Sequence, residues 1–103
     1  MSRQRLPSRH ASEIFDFESM AMRFTASVSR DSSGKILELF LDNHKCGSSI
    51  GTLVRDLAII FSFAVQHGAS AEDIQRSLCR DSQGRALGPL GAALDILLAK
   101  EPR

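Results

Sequence analysis

Two short segments hold the residue types best suited to binding chemistry. His44-Lys45-Cys46-Gly47-Ser48-Ser49 places a cation, a glycine and two hydroxyls just ahead of a long apolar helical pattern. Unpaired backbone N–H groups at a helix start attract phosphate or carboxylate, which makes Lys45, Gly47, Ser48 and Ser49 candidate ligand contacts. The same residues equally suit a plain strand-to-helix connection, with Ser48 or Ser49 as N-cap. The second segment, Arg80-Asp81-Ser82-Gln83-Gly84-Arg85, carries two guanidiniums that could clamp an anion bidentately. It also reads as a solvated loop in which Asp81 pairs with an arginine. Placed together across a dimer groove, the two loops would form one pocket, although nothing in the sequence puts them side by side.

Catalytic patterns are missing. Ser48 and Ser49 lie outside any G-x-S-x-G elbow, and no His–acid pair stands out as their partner. Gly84, Gly88 and Gly91 do not have the spacing or the strand–turn–helix setting of a phosphate-binding loop. Asp16 and Glu18 share one face of a proposed strand, where paired carboxylates ordinarily face water. Cys46 and Cys79 form no close pair, and His10, His44 and His67 lack i, i+4 spacing, so neither a zinc site nor a disulfide framework is expected. The expectation is a non-enzymatic module with no cofactor and no metal.

Charge is unevenly distributed. Arg3, Arg5 and Arg9 fall in the first nine residues, which contain no acid. The remainder holds ten basic and twelve acidic residues, a poor electrostatic match for general DNA binding. Residues 1–9 therefore read as a flexible basic arm, with those three arginines as candidate contacts to nucleic acid or another anion. With 103 residues and 43% hydrophobic content, residues 10–100 can build one compact core. No uncharged apolar run approaches the roughly 20 residues of a membrane span. The basic start is not followed by an apolar h-region. Two thiols and no export signal point to the cytoplasm.

The elements that must position these residues are legible from periodicity. Phe15 and Phe17 mark a first strand over residues 12–18. Phe24, Ala26 and Val28 alternate with polar residues in a second strand over 22–30. After the Asp31-Ser32-Ser33-Gly34 turn, residues 35–41 supply a third. There Leu37, Leu39 and Leu41 share one face while Ile36 and Phe40 flank Glu38 on the other, which suggests a central strand covered on both sides. From Ile50 to Gln66 apolar residues recur at three-and-four spacing around most of the circumference. Such a helix needs cover from the sheet and from something else, and a second subunit is the natural candidate. Ser70 with Asp73 opens a second helix, and Pro89 a third that runs to about Lys100. No internal repeat stands out. The predicted class is α+β, with a three-stranded antiparallel meander followed by three helices packed on one face.

The run Arg23-Phe24-Thr25-Ala26-Ser27-Val28, the segment Leu37-Glu38-Leu39-Phe40-Leu41, the Lys45-Cys46-Gly47-Ser48 turn and the helix closing on Gln66-His67-Gly68 together resemble the TSCPD domain. The likeness covers about residues 22–80; its turn and helix are moderately specific and its strands generic. That module stands alone in small bacterial and phage proteins and forms the C-terminal part of adenosylcobalamin-dependent ribonucleotide reductases. The cysteine-containing motif that names the domain is absent here, so no thiol or metal role is carried over, and neither is the reductase barrel. The apolar helix over 50–66 points to a homo-oligomer, and the resemblance implies a binding module for a nucleotide-like or nucleic-acid anion or a protein partner, accessory to nucleotide metabolism. Alternatives are a phage accessory protein that sequesters a small signalling nucleotide and a purely structural assembly domain.

Overall fold

The computed structural model describes residues 11–44 and 48–99. Three strands, β1 (Ala11–Ser19), β2 (Met22–Arg30) and β3 (Ile36–Asn43), precede three helices, α1 (Ser49–Gln66), α2 (Ala71–Ser77) and α3 (Pro89–Leu97). The strands form an antiparallel sheet in the order β1-β2-β3, giving the expected α+β meander-then-helices layout. Period-two alternation decides which side chains are buried. Phe17 faces Phe24, and Val28 and Ala26 face Leu39 and Leu41. These join Val54, Ala58, Phe61 and Val65 of α1 and Leu90, Ala93, Leu94 and Leu97 of α3 in one core.

β3 is an edge strand, not the central one its apolar content suggested. Nor is it covered on both sides, since Phe40 on its other face is 49% exposed; α1 instead runs antiparallel along the strand's outer edge. Three polar side chains of α1 fasten the pair. Gln66 Nε2 donates to the Leu37 carbonyl at 2.7 Å, Ser62 Oγ accepts from the Leu39 N–H at 2.9 Å, and Arg55 Nη1 reaches Asp42 Oδ1 at 2.8 Å. The Ser62 hydroxyl lies within reach of both the Leu39 and Ala58 carbonyls, at 3.1 and 2.8 Å. An unpaired sheet edge is thereby satisfied inside the protein.

Ile36 also departs from the simple alternation. Ser29 pairs with Glu38 but Arg30 pairs with Ile36, so Leu37 is the extra residue of a β-bulge. The bulge turns Ile36 back into the core, instead of onto the face that carries Phe40.

Local signals set the ends of the helices. Ser48 Oγ accepts from the Gly51 N–H at 3.0 Å, and Ser70 Oγ accepts from the Asp73 N–H at 3.1 Å. α1 stops at Gly68, whose φ of +105° suits a Schellman ending. There Ala69 N–H bonds to the Ala64 carbonyl and Gly68 N–H to that of Val65. By length and composition α1 would also suit a membrane span, and a third of it is buried within this fold.

Two outcomes follow from this architecture. Ser62→Ala strands the Leu39 N–H in a buried setting and should cost about 1–3 kcal/mol, measurable by urea unfolding. The β1–β2 turn is the converse case, because Met20 and Ala21 both hold left-handed φ values of 55° and 61°. Relieving one of them with Ala21→Gly should raise stability by about 1 kcal/mol, and an unchanged or lower urea midpoint would refute that strain.

Candidate functional site

The α1 entrance is built from the end of β3. Ser48, half-buried, caps α1, and a Cβ added at Gly51 would stand 3.1 Å from Ser48 Oγ and 3.8 Å from Asn43 Cβ. Ser49 is exposed. The Ser48 hydroxyl is thus engaged with the helix's own backbone, as the connection-with-N-cap reading requires. Lys45 and Gly47 lie outside the described residues, as do Arg3, Arg5 and Arg9.

The Arg80–Arg85 loop is built differently from an anion clamp. Arg80 makes a bidentate pair with Asp95 on α3, at 2.7 and 3.0 Å, and donates to the Gly84 carbonyl at 2.8 Å. Arg85 Nε pairs with Asp81 Oδ2 at 3.0 Å. The neighbouring guanidinium holds the Asp95 carboxyl below the usual carboxylate range, with the Gln75 amide adding to the effect. Asp95 in turn raises the Arg80 pKa. The Arg85 N–H, then Gln83 N–H, lower that of Asp81. Each guanidinium already has a carboxylate partner. Arg80 and Ser48 are drawn to different elements, α3 and the first turn of α1.

The structure exposes a repeat that periodicity analysis missed. Arg30-Asp31-Ser32-Ser33-Gly34-Lys35-Ile36-Leu37 and Arg80-Asp81-Ser82-Gln83-Gly84-Arg85-Ala86-Leu87 share five residues, with a base at the sixth position in both. In each the aspartate Oδ1 accepts from the N–H groups two and four residues on. Its N–H bonds to the carbonyl of the basic residue, the glycine has φ of +92° or +82°, and the leading arginine donates to the glycine carbonyl. Both arginines also reach α3, Arg30 at the Leu97 carbonyl and Arg80 at Asp95. Aligning the chain with itself would have revealed the repeat. The matching backbone bonds make both copies turn scaffolds that anchor α3.

On the open face of the sheet, Thr25 Oγ1 donates to Asp16 Oδ1 at 2.7 Å and lies 2.8 Å from His44 Nε2. These are the residue types of a nucleophile, a base and an orienting acid, but the connections run in the wrong order. The hydroxyl proton points to the carboxylate, and Asp16 sits 3.9 Å from the same imidazole nitrogen that faces Thr25 instead of orienting the ring from behind. Among the described residues no group of three or more His, Cys, Asp or Glu converges as a metal site. Cys79 is a free, exposed thiol.

The largest unsatisfied feature is apolar. One stripe of α1 is buried, while Leu53, Leu57, Ile59, Ile60 and Phe63 are 42–66% exposed. Within one chain only the inward stripe of this helix is covered, and the second cover that its apolar circumference calls for is not supplied by the chain itself. Ile59 also lines a shallow groove of about 400 Å³ with Ile14, Ser27 and Phe40 of the open sheet face. No protein-family model, curated protein or solved structure matches this chain.

The Arg80–Asp95 pair makes a pH prediction. Because the folded-state pKa of Asp95 is lowered, the stabilisation it brings is present above the ordinary value of about 3.9 and is lost as pH falls through the folded value. Asp95→Asn should lower the urea midpoint at pH 7, and the gap to the parent should close on acidification below about pH 4. A gap that persists at acid pH would assign the loss to packing instead.

Proposed function

We propose that this chain is a small non-enzymatic binding module that works by protein association through the outer surface of α1. A single observation carries the reading, the five large apolar side chains left half-exposed on one helix. Full burial of each would be worth about 1.5–3 kcal/mol, so covering what remains exposed releases on the order of 5 kcal/mol. Large apolar surfaces of this kind mark interaction sites.

Protein association is favoured over anion binding because Arg80 and Arg85 already have carboxylate partners. The Arg30 guanidinium, beside the depression under the 31–35 turn, is likewise engaged, with Glu13, Gly34 and Leu97. It is favoured over membrane contact because interfacial helices carry several Lys or Arg on their polar face, whereas α1 holds one basic residue, Arg55, which pairs with Asp42. The TSCPD resemblance supports a module that docks onto a partner in nucleotide metabolism, and the exposed free thiol of Cys79 supports a cytoplasmic setting.

The test pairs Leu57→Glu with Ile60→Glu. Both positions are exposed, so circular dichroism and the urea midpoint should hardly change. At a dilution that leaves the parent monomeric, it should bind a hydrophobic dye and the variant should not, and neither should co-sediment with anionic vesicles. A thermal shift with nucleotides that disappears in Arg80→Ala/Arg85→Ala would overturn this reading in favour of the anion pocket.

A further inference from the structure

We propose that a second copy of this chain covers the outer surface of α1, with the two α1 helices packed antiparallel about a twofold axis near Ala58 and Ile59. The proposal rests on the reading of α1 as the docking surface and adds the identity and orientation of the occupant.

The spacing along α1 carries it. Val54, Ala58, Phe61 and Val65 enter the core. Beside them Leu53, Leu57, Ile60 and half-buried Ala64, extended by Ile50, which also packs on the core, and by the C-cap His67, follow each other at intervals of three, four, three, four and three, the spacing of a coiled-coil seam. Leu53, Leu57 and Ile60 are 58%, 42% and 66% exposed. No carboxylate, ammonium or guanidinium interrupts the seam. Its spacing is also symmetric about its own midpoint. Reversing the helix places Leu57 on Ile60, Leu53 on Ala64 and Ile50 on His67, each pairing occurring twice as a twofold interface requires.

Side-chain volume selects the orientation. Antiparallel pairing sets the large Leu53 against the small Ala64 of the partner at both ends. Parallel pairing would stack Leu53 on Leu53 and leave a void between two alanines. Opposed helix dipoles favour the same arrangement.

Area sets the strength. An 18-residue helix is roughly 27 Å long, so one seam covers less than the roughly 800 Å² per partner of a standard interface. Phe63, next to Ala64 at the seam's border, must contribute, and the dimer should be of micromolar strength. Pairing of two copies through β1, the sheet edge not covered by α1, is disfavoured because that strand carries Glu13, Asp16 and Glu18 and no base.

Cross-linking tests the register in a Cys46→Ser/Cys79→Ser background whose circular dichroism matches the parent. Leu53→Cys and Ala64→Cys variants are treated singly and mixed with a bis-maleimide spanning about 8 Å, the separation of packed helices. In the antiparallel dimer the mixture should yield several-fold more cross-linked dimer than either variant alone, because 53 and its own copy lie roughly 16 Å apart along the axis. If Leu53→Cys alone cross-links as well as the mixture, the orientation is overturned and the docking reading stands. A parent that sediments as a monomer at about 100 µM, yet loses hydrophobic-dye binding in Leu57→Glu/Ile60→Glu, overturns only the second copy. A monomer whose dye binding that variant leaves unchanged overturns both.

Discussion

The fastening of α1 to the edge of β3 is the constraint on which the rest of this fold depends. A three-stranded sheet has two edges, and a buried backbone N–H without a partner costs about as much as a lost hydrogen bond. Ser62 satisfies the Leu39 N–H and Gln66 the Leu37 carbonyl. That choice fixes the rotation of α1 about its own axis. With Ser62 turned to the strand, Val54, Ala58, Phe61 and Val65 enter the core, while Leu53, Leu57, Ile60 and Phe63 are left half in solvent. The polar contacts that close the sheet thus also create the surface on which the proposed function rests.

The other end of the chain is held by a repeated device. Two copies of an Arg-Asp-Ser-x-Gly turn each use the aspartate to gather backbone N–H groups and the arginine to reach α3. Charge in these loops is spent inside the fold. Carboxylates with lowered pKa values at Asp31, Asp81 and Asp95 are the electrostatic trace of that structural use. A perturbed titration here indicates scaffolding and not a reactive centre.

Most of the architecture was legible beforehand. Alternation at Phe24, Ala26 and Val28 and the three-and-four spacing through residues 50–66 gave the strand and helix directly, and Ser48, Gly68 and Ser70 marked helix ends through chemistry that acts within a few residues. The candidate ligand loops fared differently. Arg80 and Arg85 were visible as cations, but their partners were not, since Asp95 lies fifteen residues from Arg80 and meets it only through the packing of α3. The edge position of β3 was hidden because burial by a neighbouring helix and burial by a neighbouring strand leave the same apolar pattern. The bulge at Leu37 was hidden because one inserted residue resembles ordinary noise in an alternating run.

What the sequence determined by itself was local: which stretches extend, which coil, where each stops, and that α1 has more apolar surface than a single small sheet can cover. Only the tertiary structure decided which stripe of α1 turns inward and which guanidiniums are neutralised. Those outcomes depend on hydrogen bonds between residues far apart in the chain, such as Ser62 with Leu39 and Arg80 with Asp95. Periodicity reports how much of a helix is apolar, whereas a partner's geometry decides which part of it stays in contact with water.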